Sequence, residues 1–444
     1  MRKIGKGLLH PAWFMIGFWT FLYAIYFLAP INQTPPASIA GTAFVISQVL
    51  VFCIGSVLGA GGLGCSLLVQ APMTSQSLAT PRIPRTMNTF FLIGISGALL
   101  SMFIKMLDLD FISLSGFAVL RAERAQQLLE ATSFSSSLLS GVGFLTYPAG
   151  FIVLVLTLVL YETLPHYTRA LSVLYVTVIF LLSIVTGGRS TIFITIIFLS
   201  LALYIRHCRG LSTLPRSRLI KFFILLLPIG FIGYSTLIWM VRFDFSGQSS
   251  DMFLAHADQA WGVTPTENLE ALALALEQPS LVQNVVSNIF YFTQSISIIE
   301  RILGMSEVPI LLGTYHIDIA AAAARVFIDS DFMAQGYATL LDSNVYGFFT
   351  SAWGALYIDF GFFGSYIATL LWGVLAGVAH RHARRNIYSD GFTQYVFWTY
   401  SIMISFVSPP LGFSNSAVTL IWFILYRALG FFQENARLTR SVPH

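Results

Sequence analysis

Charge is the scarcest commodity in this chain. Asp, Glu, Lys and Arg supply 10% of its 444 residues, against about 25% in ordinary soluble domains. So few charges cannot coat a fold in which 56% of residues are apolar. A soluble enzyme, a nucleic-acid binder and a disordered scaffold are therefore excluded. Cysteine is nearly as rare. Cys53, Cys65 and Cys208 are too few for a disulfide framework and read as reduced, structural residues. No HExxH, CxxC, P-loop or GxGxxG pattern of usable quality is present, and there are no internal repeats or low-complexity tracts. Aromatics are plentiful instead, with 39 Phe, and the mean hydropathy is +0.76. Lipid is the solvent for most of this chain.

The N-terminal Met1-Arg2-Lys3-Ile4-Gly5-Lys6 has the charge pattern of a signal peptide. The apolar run from Leu8 to Pro30 is too long for one and lacks a small-residue cleavage site, so it reads as a first membrane span. A spanning helix needs about 20 mainly apolar residues. Ten stretches qualify, at about 9–29, 40–60, 88–106, 139–161, 168–186, 190–206, 221–241, 361–379, 391–408 and 415–432. With the N-terminus in the cytoplasm, 17 of the 24 basic residues and only 3 of the 20 acidic ones fall inside. That is the positive-inside pattern. The expected fold is all-α and polytopic, with about ten transmembrane helices and both termini cytoplasmic.

The chain reads as one membrane domain, 1–444, with two outer segments longer than a connection needs. Segment 107–138 is rich in helix formers. The large loop 242–343 carries 12 acidic residues against 3 Arg. Within it, Thr264-Pro265-Thr266-Glu267 reads as a capping box with Pro at the first helical position. Leu281, Val282, Val285, Val286, Ile289, Phe290, Ile296 and Ile299 then recur at helical spacing with a polar stripe between them. That helix is expected to lie in the outer interface or pack on the bundle, because one more crossing would move the later basic loops to the wrong side.

Charges at the outer membrane boundary carry the functional signal, since an ionisable group there is costly unless paired or used. Gly187-Gly188-Arg189-Ser190 forms a very short outer turn with no acidic neighbour in sequence. Arg189 either snorkels to lipid phosphates or forks a pyrophosphate. Arg242 is similar, with Asp244 nearby as a structural partner. The segment Ser343-Asn344-Val345-Tyr346 is polar and aromatic, and it leads to Leu356-Tyr357-Ile358-Asp359-Phe360-Gly361-Phe362-Phe363-Gly364. Asp359 reads either as a charge at a helix N-terminus or as a site residue. The outer histidines are His256 and His316. His316 is a base titrating near neutrality or a loop histidine paired with Asp318. Asp108-Leu109-Asp110 and Asp329-Ser330-Asp331 match metal-diphosphate patterns that are too short to discriminate.

Taken together, Gly-Gly-Arg-Ser at an outer turn, a large late outer loop and Ser-Asn-Val-Tyr…Asp-Phe-Gly-Phe-Phe-Gly at its exit resemble the Wzy-type O-antigen and oligosaccharide repeat-unit polymerases. These belong to the O-antigen ligase/polymerase superfamily of lipid-dependent glycosyltransferases. Arg325 and Gly336 also fit an Arg-x10-Gly pattern of some members. The chain departs from the ligase branch, which has His-Asn where Ser343-Asn344 stands here. It also lacks the first-outer-loop acid of the metal-dependent branch, since 30–38 contains none. Both departures favour a polymerase, and the second favours a metal-independent one.

The resemblance implies an inner-membrane enzyme with a periplasmic site. It would transfer a growing glycan from undecaprenyl pyrophosphate onto the next lipid-linked repeat unit. His316 and Asp359 are the candidates for the base. Arg189, Arg242 and Arg325 are those for the diphosphate, and Asn344 and Tyr346 join them as glycan or pyrophosphate contacts. No cofactor or metal is expected. The implied partners are the undecaprenyl-pyrophosphate-linked oligosaccharide, membrane lipids and a polysaccharide chain-length regulator, with no nucleic acid. An O-antigen ligase and a polyprenol-glycan flippase are the alternatives; a flippase would be expected to carry charges along a central cavity.

Overall fold

The structure, a computed structural model, describes residues 8–62, 83–107, 134–186, 189–215, 254–255, 257–278, 280–317, 330–346, 349–384, 390–412 and 414–438, with scattered positions between 218 and 234. Its elements are α1 (Pro11–Leu28), β1 (Ile31–Gln33), α2 (Ile39–Gly59), α3 (Ile83–Leu107), α4 (Phe134–Thr146), α5 (Ala149–Val159), α6 (His166–Val185), α7 (Ser190–Cys208), β2 (Val263–Pro265), α8 (Glu267–Ala275), α9 (Ser280–Gly304), α10 (Ser330–Asp342), α11 (Ser351–Ala383), α12 (Asp390–Met403) and α13 (Ser414–Leu438). Among the described residues, seven helices are long and apolar enough to cross a membrane. The chain is a mostly helical, polytopic membrane protein.

Several expected spans change shape. The stretch 139–161 is broken at Tyr147-Pro148 into α4 and α5, because proline has no N–H to continue the helical ladder. The Phe151 N–H bonds to the Pro148 carbonyl at 3.1 Å, and the Tyr147 carbonyl accepts a hydrogen bond from the Tyr175 hydroxyl at 2.9 Å. Every residue of α5 is buried, as a helix that is apolar all round must be. The expected ninth span ends early, at Met403, in a turn over 404–407. The seventh, 221–241, lies largely outside the described residues, as do Cys65 and most of segment 107–138.

The tightest packing joins α2 to α11. Gly55 and Gly59 on one helix meet Gly373 and Gly377 on the other. A Cβ at any of the four would run into the partner's backbone, at Leu370, Val374, Phe52 and Ser56 respectively. Small residues four apart allow this close approach in lipid, where no hydrophobic effect drives helices together. Gln48, fully buried, bridges the same pair. It donates to Ser365 Oγ at 2.8 Å and accepts from Thr369 Oγ1 at 2.7 Å. A second core gathers around α5, where Phe151 stacks on Phe198 and Phe198 on Tyr400.

At the other end of this second core, the Arg206 guanidinium is fully buried. It reaches Glu162 at 2.6 and 3.0 Å and the Leu158 carbonyl at 2.6 Å, which closes the α5–α6 connection.

The segment after α1 and the segment before α8 are tied together by a small antiparallel sheet that sequence periodicity did not suggest. β1 pairs with β2 in the register Ile31↔Pro265, Asn32↔Thr264 and Gln33↔Val263. This corrects the capping box. Thr264 and Pro265 are strand residues, α8 starts at Glu267 with Thr266 as its N-cap, and Thr266 Oγ1 donates to the Pro30 carbonyl at 3.2 Å. The amphipathic helix 280–304 packs on α1, α2 and α11. Two of its polar residues hold β1, where Gln33 donates to Thr293 and accepts from Ser297, both at 2.6 Å.

Candidate functional site

The site begins with a break in α11. This helix runs for 33 residues, about 50 Å at 1.5 Å per residue, too long for one straight crossing of a hydrocarbon core about 30 Å thick. Gly361 interrupts it with φ +69° and ψ −176°, a conformation that glycine alone adopts without large strain. The carbonyls of Ile358 and Asp359, released from the helical ladder, accept from the backbone of Leu311 at 3.1 Å and Leu312 at 2.9 Å. The 311–316 turn is thereby stitched onto the break. It reverses tightly, with φ +53° at Leu312 and +90° at Gly313.

Asp359 closes this junction. Its carboxyl is fully buried and accepts from the backbone N–H groups of Gly313 at 3.0 Å, Tyr315 at 2.9 Å and His316 at 3.1 Å. Its Oδ2 also meets Nδ1 of the His316 imidazole. Three inward-pointing N–H donors suit an ionised carboxylate. A carboxylate only accepts hydrogen bonds, so the neutral imidazole carries its proton on Nδ1 and leaves Nε2 with a free lone pair. The His316 side chain keeps 7% of its surface open, and the edge of Phe360 flanks the ring at 5.9 Å.

The two residues read as rival bases form one unit. Asp359 is not at a helix start: α11 begins at Ser351, ten residues before the predicted 361. His316 is partnered by Asp359; Asp318, the partner expected by proximity, lies outside the described residues.

A wall of tyrosines continues from the dyad. The phenol of Tyr315 is pushed above its ordinary pKa by burial, with Asp359's charge adding to the shift and a hydrogen bond to Thr350 opposing it. It therefore remains an O–H donor. Tyr337 donates to the Thr314 carbonyl at 2.9 Å, and its ring meets Tyr315 at 6.4 Å and Tyr346 at 5.5 Å. Tyr346 is half exposed. Asn344 sits in a left-handed turn with φ +52°, and its carbonyl accepts from Arg301 at 3.0 Å.

On the far side of Thr350, Phe349 accepts the edge of Tyr291 at 4.9 Å, and its N–H donates to Gln294 Oε1 at 3.3 Å. Arg189, the N-cap residue of α7, lays its guanidinium over the face of Tyr291, 4.8 Å from the centroid. A continuous chain of contacts therefore runs from His316 through Tyr315, Thr350, Phe349 and Tyr291 to Arg189. Arg242, Arg325 and His256 lie outside the described residues, as do Asp108, Asp110 and Asp329.

Sequence reasoning passed over Arg301. Its guanidinium gathers the carbonyls of Thr34 at 3.1 Å, Trp261 at 2.8 Å and Asn344 at 3.0 Å, joining three segments far apart in sequence. Glu300 beside it accepts from the Ser38 N–H and hydroxyl, both at 2.7 Å. The loop 30–38 contains no acid of its own but receives this one from α9. The signal for both was a Glu-Arg pair closing an otherwise uncharged amphipathic helix.

Comparison of the chain with known protein families, with characterised proteins and with solved structures finds no significant match.

Proposed function

We propose that this protein is a membrane glycan polymerase with both termini in the cytoplasm. It would transfer a growing chain from undecaprenyl pyrophosphate onto a lipid-linked repeat unit at the outer face of a bacterial inner membrane. The observation that carries the reading is the His316–Asp359 dyad, built where α11 breaks beside the large outer loop. Such a transfer needs a base for the acceptor hydroxyl and cations for the pyrophosphate. His316 Nε2 takes the proton of the acceptor O–H. The oxygen forms a bond to the anomeric carbon, the bond from that carbon to the pyrophosphate oxygen breaks, and the lipid pyrophosphate leaves with the electron pair. Asp359 orients the imidazole and balances its positive charge. Arg189 is the described cation for the diphosphate, and the proposed mechanism uses no metal.

The resemblance in 187–190 and 343–364 supports the same reading. A ligase would share this chemistry and differ in its acceptor.

The test is chain growth by purified, reconstituted protein on lipid-linked repeat units, with and without chelator. Wild type is expected to extend chains in chelator, and His316→Gln is expected to lose at least about a hundredfold in rate. Loss of wild-type activity on chelation, restored by magnesium or manganese, overturns the metal-free step. Full activity of His316→Gln overturns the base. For the topology, cysteines placed at 207 and 384 are expected to resist labelling from outside, and those at 267–276 to react.

A further inference from the structure

We propose that the ring of Tyr346 is the platform on which the acceptor sugar stacks to bring its hydroxyl to His316; this rests on the transferase reading above. Tyr346 is 49% exposed, yet it is held like a core residue. Its N–H and that of Val345 both donate to the Leu340 carbonyl at the end of α10, at 3.1 and 2.9 Å. The edge of Tyr337 meets its ring at 5.5 Å with an interplanar angle of 77°. Tyr337 is itself fastened through its hydroxyl to Thr314, two residues from His316.

A ring whose backbone and one edge are fixed has little freedom to lose on binding. That ring leads directly back to the 313–316 turn that carries the dyad. A pyranose has one face of C–H groups and a rim of hydroxyls. It matches a tyrosine, which presents an aromatic face and a polar tip together. The exposed Asn344, in the turn fixed by Arg301, adds a donor and an acceptor of the kind sugar hydroxyls take. Tyr346 combines surface and polarity with a link, through Tyr337, to the turn that carries the base.

The experiment uses full-length protein in nanodiscs and two probes from a strain lacking this gene: its accumulated lipid-linked oligosaccharide, and the same glycan freed of lipid. Chain growth is measured against acceptor concentration, and saturation-transfer NMR reads contact with the free glycan. Tyr346→Leu, which keeps bulk and loses the flat ring, is expected to raise the half-saturating acceptor concentration about tenfold. Its maximal rate should fall far less, and its glycan C–H contacts should disappear from the NMR difference spectrum. Tyr346→Phe should recover most of the lost affinity.

An unchanged half-saturation in Tyr346→Leu, or a loss confined to the maximal rate, overturns the platform and leaves the transferase reading standing. A wild type that neither elongates chains nor contacts the glycan overturns both. Glycan contacts present in wild type and lost in Tyr346→Leu support the platform even if chain growth fails.

Discussion

His316 and Asp359 are 43 positions apart in the chain and share one hydrogen-bonded junction, in which a single carboxylate organises both the imidazole and the turn that carries it. The same group thus supports the fold and, in the proposed reaction, the base. Asn keeps one carbonyl oxygen for the Gly313 and Tyr315 N–H groups but puts an amide donor where Oδ2 accepts from the His316 N–H and meets its Nδ1. The expected result is a destabilisation of about 3 kcal/mol together with loss of chain growth. His316→Gln should lose chain growth while keeping most of its thermal stability. Thermal unfolding in detergent, read beside product ladders, separates the two. Equal melting temperatures for Asp359→Asn and wild type would mean that the carboxylate does not organise the turn.

Gly361 offers a second route to the same junction. Alanine at φ +69° and ψ −176° carries about 1–3 kcal/mol of strain. It also favours a straight helix whose ladder would reclaim the Ile358 and Asp359 carbonyls from Leu311 and Leu312. Gly361→Ala is therefore expected to lower the melting temperature and to abolish chain growth without touching a reacting group. A variant that melts and polymerises like wild type would show that the break does not position the dyad.

Most of the fold was legible because apolar runs of about 20 residues have few other uses. The signal for the break at Pro148, proline's missing N–H, was visible, although apolarity alone reads 139–161 as one span. The break at Gly361 was not, because glycine is common in membrane helices and the donors that hold the bend come from 311–312, far away in sequence. For the same reason His316 and Asp359 could each be singled out as rare outer charges while their pairing could not. Local proximity favoured Asp318. Thr264-Pro265 was misread because its partner strand lies more than 200 residues upstream, and a capping motif is judged only on neighbours.

Arg189 was legible as an isolated boundary charge, but its ring partner was not. A guanidinium over an aromatic face is attracted by the ring quadrupole, by about 0.5–2 kcal/mol, and the geometry steers the planar fork. If that fork grips a diphosphate, Arg189→Lys is expected to be badly impaired, since a point charge cannot supply two parallel hydrogen bonds. Tyr291→Phe should keep the aromatic face and most of the activity, and Tyr291→Leu should approach the Arg189 variants. Product ladders from membranes with matched protein levels decide this. A normal ladder in Arg189→Ala removes Arg189 from the diphosphate and favours the reading in which it snorkels to lipid phosphates.

The last expectation concerns pH and lies away from the site, at the start of α1. His10 caps that helix through Nδ1, which accepts from Ala12 at 3.3 Å. Burial, and then the charge of Arg384, push its pKa down from 6.5 to about 4. Above pH 6.5 neither the folded nor the unfolded chain binds a proton there, and this group leaves stability independent of pH. As pH falls from 6.5 towards 4, the unfolded chain takes up a proton that the folded one refuses, so stability declines. Below about 4 both states are protonated and the decline stops. Asn is a good N-cap that does not titrate. His10→Asn is therefore expected to hold its melting temperature better than wild type over this window, with the two proteins differing least above pH 6.5. Parallel curves for both proteins from 6.5 to 4 would mean that His10 is not the titrating group.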